Sequence, residues 1–264
     1  MPEYSYIFSR IESKLIEVGS QNLHKNEIIR RLDEFKEYES QNLSDSDYYQ
    51  KLVAVIFYSG FMASTVTSKM ITIQGYFSNY QAVANYDEND VAEILSDSNM
   101  IRNRRKIQAC IDNAIELTKI VAQFGSMNGY IESFESDKTL ANLLLLKENL
   151  EFRFSGLGRI TTYHFLTDIG LPVLKPDRVI CRIFERLGLI QNREQLLSAV
   201  IQGRKIAEAT GYPIRYIDIV FVAYGQMKSE EFGIEKGICL ERNPSCDICG
   251  VKDHCPYYLI ENMF

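Results

Sequence analysis

Cys239, Cys246, Cys249 and Cys255 follow one another with the spacing C-x6-C-x2-C-x5-C in the stretch ICLERNPSCDICGVKDHCPYY. Four thiolates in so short a loop can surround one centre, and all-sulfur ligation suits a 4Fe-4S cluster or a structural zinc ion. Zinc ribbons usually join two close C-x2-C pairs across a longer gap, whereas one pair with wide flanks stands here, which favours the cluster over zinc or paired disulfides. The other two cysteines, Cys110 and Cys181, sit in apolar helical contexts and read as small buried residues. Two further stretches carry chemistry. In Phe154-Ser155-Gly156-Leu157-Gly158-Arg159 two glycines flank one apolar residue just ahead of a helical run, so the backbone can turn sharply and offer helix N-terminal N–H groups to an anion. In Leu174-Lys175-Pro176-Asp177-Arg178, Asp177 opens another helix, either as a simple cap or as a carboxylate aimed at a cleft.

Most elements that must position these residues are helices. Apolar residues recur at helical spacing, as in Ile7, Ile11, Leu15 and Val18 or in Leu52, Val55, Ile56 and Met62, and strand-like alternation is nearly absent. Polar turns such as Asn42-Leu43-Ser44-Asp45 and Tyr86-Asp87-Glu88-Asn89-Asp90 separate short helices, and no repeat suggests a solenoid. With 264 residues, 46% of them apolar, the chain can bury one large core or two modest ones. The net charge of -6 argues only weakly against a nucleic-acid partner, because a local basic strip can bind phosphate on an acidic protein. No apolar run approaches the roughly 18 residues of a membrane span, and the N-terminal stretch lacks a secretory signal's apolar core. The expectation is a cytoplasmic protein, in which clustered cysteines serve ligation rather than disulfides.

The cysteine spacing resembles that of the iron-sulfur branch of the endonuclease III superfamily, and the Gly156-Leu157-Gly158 turn resembles the hairpin of the helix-hairpin-helix DNA glycosylases. The resemblance implies an all-α, two-lobed fold. A barrel-like lobe over residues 45–170 would contain the hairpin, and residues 1–44 with 171–264 would form a second lobe bearing a structural [4Fe-4S] cluster. It also implies that Gly156, Gly158 and Arg159 grip the DNA backbone and that Asp177 is the catalytic carboxylate. Lys252 and His254 would be phosphate contacts or merely solvated residues. Bifunctional members carry a lysine immediately after the position of Arg159, and this chain has Ile160 there. The departure implies a monofunctional enzyme that uses water. Lys175 is the one nearby substitute nucleophile, more simply read as a phosphate contact.

A flipped base must be held between aromatic or apolar walls, for which Tyr58, Phe61 and Met62, on the helix running through LVAVIFYSGFMASTVTSKM, and Tyr163 are candidates, the turn Ser59-Gly60-Phe61 being a place to meet the DNA and core packing the bland alternative. The segment Met100-Ile101-Arg102-Asn103-Arg104-Arg105-Lys106-Ile107-Gln108-Ala109 is similar to part of bacterial 3-methyladenine DNA glycosylase I. That family holds zinc near its two ends and uses a pocket glutamate; this chain lacks the N-terminal Cys and has Tyr58 near the glutamate's place. The implied substrate is double-stranded DNA containing a damaged base, such as an alkylated purine, excised by a monomer associated with the nucleoid. The rival expectations are a glycosylase for oxidised or mismatched bases and a DNA-binding module without catalysis.

Overall fold

The computed structural model describes residues 3–36 and 43–261. The chain divides into two compact units, Met1–Glu39 with Pro172–Phe264 and Ser40–Leu171. Among the described residues there is no β-strand, only an isolated antiparallel bridge between Ser229 and Ile234. Nor is any described helix long and apolar enough to cross a membrane. The turn expected at Asn42–Asp45 lies in part outside the described residues, Asn42 being excluded.

The first unit begins with α1 (Tyr4–Gly19) and α2 (Lys25–Asp33). The second holds α3 (Asp45–Tyr58), α4 (Ala63–Thr67), α5 (Met70–Tyr76), α6 (Tyr80–Val83), α7 (Glu88–Ser96), α8 (Arg104–Phe124), α9 (Met127–Glu132), α10 (Leu140–Arg153) and α11 (Thr161–Asp168). The chain then returns to the first unit with α12 (Arg178–Arg186), α13 (Leu196–Thr210), α14 (Ile214–Gly225) and α15 (Pro256–Glu261).

In the second unit α8 is the central element, packed against α3, α6 and α9. Its buried stripe of Ile107, Cys110, Ile111, Ala114, Leu117 and Ile120 repeats every three or four residues, which sets one face inward. Helix starts follow local chemistry. Ser44 with Asp47 and Asp87 with Asp90 form capping boxes, and Asn103, Ser126 and Thr139 cap α8, α9 and α10 through their side chains. Each satisfies N–H groups that a helix start otherwise leaves open, at about 1 kcal/mol.

The helix expected to run on through Phe61 and Met62 stops at Tyr58. Ser59 is extended and Gly60 takes φ +75°, so the chain turns out of the helix before α4 begins at Ala63. Phe61 and Met62 therefore lie in the turn, and Met62 is 73% exposed rather than continuing the buried stripe.

In the first unit α1, α12, α13 and α14 pack around a core that includes Phe8, Ile11, Leu15, Ile180, Phe184, Ile217 and Phe221. Each such side chain stabilises the unit by about 1.5–3 kcal/mol through burial. α14 approaches α12 closely because it ends in glycine: a Cβ at Gly225 would lie 2.7 Å from Val179 and 2.8 Å from Ile183. This brings the helix opened by Asp177 against a second helix carrying Asp218.

Candidate active site and cysteine loop

In the Ser40–Leu171 unit, α10 and α11 are joined by residues 154–160, the turn singled out in the sequence. Phe154 and Leu157 point into the core, and Gly156 turns with φ +82°, where a Cβ would press within 3.2 Å of Ile56. The turn is clamped from α8. Buried Asn113 donates from Nδ2 to Ser155 O at 2.9 Å and accepts the Ser155 N–H on Oδ1 at 2.7 Å. Thr161 Oγ1 accepts the Gly158 N–H at 2.6 Å, and Gly158 O accepts the Thr162 N–H at 2.9 Å. The Gly158 amide is thus used inside the hairpin. What faces outward is exposed Arg159 and the start of α11, whose N-cap residue Ile160 supplies no side-chain acceptor. Around Gly158 a Cβ would meet only Thr161 Oγ1 at 3.8 Å, so the backbone is open to a close partner.

Beside the hairpin lies a groove of about 430 Å³ lined by Ile56, Ser59, Arg105, Lys106, Asp112, Ser155 and Gly156, among others. The basic run from Arg102 to Lys106 divides here. Arg102 donates to Asp97 O and Ser96 O, and Arg104 pairs with Glu88. Half-buried Lys106 donates to Ile56 O and, at 2.7 Å, to Ser59 O, closing the C-terminal end of α3, and its ammonium lies 5.4 Å from the Phe61 ring centre. Burial holds Lys106 below the usual lysine value. Arg105 remains exposed on the groove. Tyr58 is half-buried with its hydroxyl 2.9 Å from Thr67 Oγ1, and Phe61 and Met62 are exposed in the following turn. Tyr163 does not join them at the surface. It is 4% exposed, with Lys147 Nζ 5.7 Å from its ring centre.

In the other unit Asp177 caps α12. Its Oδ1 accepts the N–H groups of Val179 at 2.9 Å and Ile180 at 3.0 Å, while Oδ2 stands 3.8 Å from Lys175 Nζ. Locally this follows from the sequence, since a carboxylate before a helix start finds free N–H groups two and three residues on. One oxygen is committed to the helix and the other is not.

Further along α12, Arg182 and Arg186 are buried and reach the cysteine loop. Arg182 donates to Cys239 O at 3.1 Å and Gly225 O at 2.6 Å. Arg186 donates to Cys239 Sγ at 3.3 Å and Leu240 O at 2.7 Å. Cys239, Cys246, Cys249 and Cys255 line one small cavity with Arg186. Tyr224 Oη donates to Cys249 Sγ at 3.2 Å. Burial, with the neighbouring thiols adding to it, pushes Cys246 up to about 11 and raises Cys249 and Cys255 as well. Among the described residues no group of three or more His, Cys, Asp or Glu is arranged to hold a metal ion. Lys252 is tied back to Asp247 O at 3.0 Å, and exposed His254 packs against the Tyr6 ring. Cys110 and Cys181 are buried on α8 and α12, where desolvation raises both thiols.

The order of these parts has counterparts. A family model for methyladenine glycosylase matches residues 36–153. A curated relative, endonuclease III of Rickettsia felis, is 26% identical over 112 residues, 40% of this chain and 44% of that protein, so the match spans less than half of the relative. A solved endonuclease III, trapped as a covalent intermediate with DNA, superimposes with a TM-score of 0.55 at 16% identity, covering 90% of this chain and 99% of that one. The fold is that of the helix-hairpin-helix DNA glycosylases. The 8-oxoguanine DNA glycosylase of Methanocaldococcus jannaschii shares it, with a TM-score of 0.54 at 21% identity over 83% of this chain and 95% of that one. Within this glycosylase fold three roles were not foreseen from the sequence: Asn113 as the hairpin clamp, Lys106 as the brace of the α3 end rather than a DNA contact or surface charge, and buried Asp218 beside the start of α12. Only Asp218 left a signal, a lone acid in the apolar run IVFVAY and its approach.

Proposed function

We propose that the chain is a monofunctional DNA glycosylase of base excision repair, acting as a monomer on duplex DNA at the nucleoid. The observation that carries this is Asp177: a carboxylate held by two backbone N–H groups through one oxygen, with the other, 3.8 Å from Lys175 Nζ, left out of the helix cap. Cleavage of an N-glycosidic bond leaves positive charge on the deoxyribose. A fixed carboxylate stabilises that charge and orients the water that adds to the sugar as the base departs. Ile160, where a lyase would need lysine, supports hydrolysis by water without a Schiff base. Arg159 and the uncapped start of α11 would hold the DNA backbone with Gly156 and Gly158 as the close-approach surface.

For the substrate, the methyladenine glycosylase model over residues 36–153 and the exposed turn of Phe61 and Met62 beside Tyr58 support an alkylated purine such as 3-methyladenine. Aromatic walls attract a cationic base, which also leaves readily. Tyr163 would shape this region from beneath, since its ring is buried.

The four cysteines fit a [4Fe-4S] cluster: all four line one cavity, and Arg186 and Tyr224 donate to two of the sulfurs. When bound, such a cluster would serve structure, fixing the loop, and the hydrolysis runs on Asp177 and water. Purified protein should contain about four irons per chain with broad visible absorption; one zinc in a colourless protein would remove the cluster.

The experiment for the activity incubates the protein with duplexes each holding one defined lesion, including methylated DNA, and analyses strands with and without alkali. Release of 3-methyladenine, strand breaks only after alkali and no borohydride-trapped adduct are expected. Trapping that disappears in Lys175→Ala would establish a lyase instead. Release confined to oxidised bases would reassign the substrate.

A further inference from the structure

We infer that Asp218 is a positioning residue for Asp177: it anchors the backbone segment that presents the catalytic carboxylate. The inference rests on the reading of Asp177 given above. Asp218 is buried on α14, 3% exposed, and faces the approach to α12. Its Oδ1 accepts the Lys175 N–H at 3.2 Å. The same residue's carbonyl accepts the Asp177 N–H at 2.8 Å. Lys175 is therefore a two-ended tie, with Asp218 holding one end and Asp177 the other. On the far side Asp218 Oδ2 pairs with Arg215 Nη1 at 3.3 Å, which orients the carboxylate across one turn of its own helix.

Burial, with the nearby Asp177 charge adding to it, pushes the Asp218 carboxyl up to about 6, against which Arg215, Lys175 and the Lys175 N–H work. Of the charged groups on the packed elements, Glu12 on α1 is taken up by Tyr216, and Arg204 on α13 reaches Pro172 O at 3.4 Å. A carboxyl raised in the folded state makes its contribution to stability at low pH and loses it as pH rises through about 6. The ionised Asp218 thus weakens the fold at neutral pH while giving the Lys175 N–H a stronger, charged acceptor.

This opposition separates positioning from mere packing. Asp218→Asn keeps shape and a carbonyl acceptor but is permanently neutral. At pH 7.5 it should melt no lower than the wild type, bind a duplex with one tetrahydrofuran abasic analogue within twofold, and release base from methylated DNA in single turnover roughly tenfold more slowly. The wild-type rate should also fall as pH drops through about 6, while the Asn variant stays flat there. In the unsubstituted protein the Lys175 amide resonance should titrate over the same range. A variant with the wild-type rate and acid limb would overturn the inference. So would lowered melting with rate and binding lost in parallel, which would mark a structural role. Full activity of Asp177→Asn would overturn the underlying reading as well, and that variant alone reports it.

Discussion

Two helix starts in this protein solve the same problem in opposite ways. At α12 the open N–H groups meet a carboxylate from within the chain, Asp177, whose Oδ1 takes two of them. At α11 the N-cap residue is Ile160, which has no side-chain acceptor to offer them, and the Thr162 N–H is taken by Gly158 O. A helix start attracts negative charge in either case, from its partial positive charge and unpaired donors. The difference is the source. α12 is completed by a charged side chain and holds its acid in place, whereas α11 has only the Gly158 carbonyl, which takes the Thr162 N–H, and carries no acid beside exposed Arg159. One end is built to supply a charge and the other to receive one, in keeping with the proposed division between chemistry and DNA grip.

The comparison can be broken first at α12. Asp177→Asn removes the charge and keeps a side chain that caps as well as aspartate. Melting should be nearly unchanged while single-turnover base release falls by about 10²–10³-fold. A rate within a few fold of the wild type would reduce Asp177 to a cap. At α11 the inverse change, Ile160→Asp, sets a negative charge at the helix start. It should weaken DNA binding by roughly tenfold, with a shallower dependence of affinity on salt. Undiminished binding, read by fluorescence anisotropy across a salt series, would show that this helix end is not a phosphate site. The smallest effect on chemistry is expected at Asn113→Ala. The exposed Ser155 would lose both of its backbone hydrogen bonds to Asn113, costing about 1 kcal/mol in urea unfolding, and the hairpin would loosen. If stability drops while DNA affinity holds, the hairpin needs no clamp to do its work.

What was legible in the sequence was local. The Asp177 cap spans two and three residues, the Gly156-Leu157-Gly158 turn five or six, and the cysteine loop closes over a short stretch, so residue type and spacing alone foretold them. The helical character was legible for the same reason, because periodicity is a property of neighbours. Even locally one reading went astray. Apolar residues continue at helical spacing to Met62, and although Ser59-Gly60-Phe61 reads as a turn, only the positive φ of Gly60 shows that the helix ends there and leaves Phe61 and Met62 outside it.

The tertiary structure decided whatever joins distant positions. Asn113 meets Ser155 across 42 residues of sequence, Lys106 meets Ser59 across 47, and Asp218 meets Lys175 across 43. Each pair depends on which faces of which helices pack, and single-chain composition does not encode that choice. The exposed arginines and the lysine between Arg102 and Lys106 thus divide, once folded, into a brace at Lys106, two arginines bound to Glu88 or to backbone carbonyls, and Arg105 on the groove. The sequence by itself determined which groups are available for chemistry, because chemistry resides in residue type. Only packing decided which of them are spent on holding the fold, because a buried donor or acceptor must find a partner and takes whichever the neighbouring helix presents.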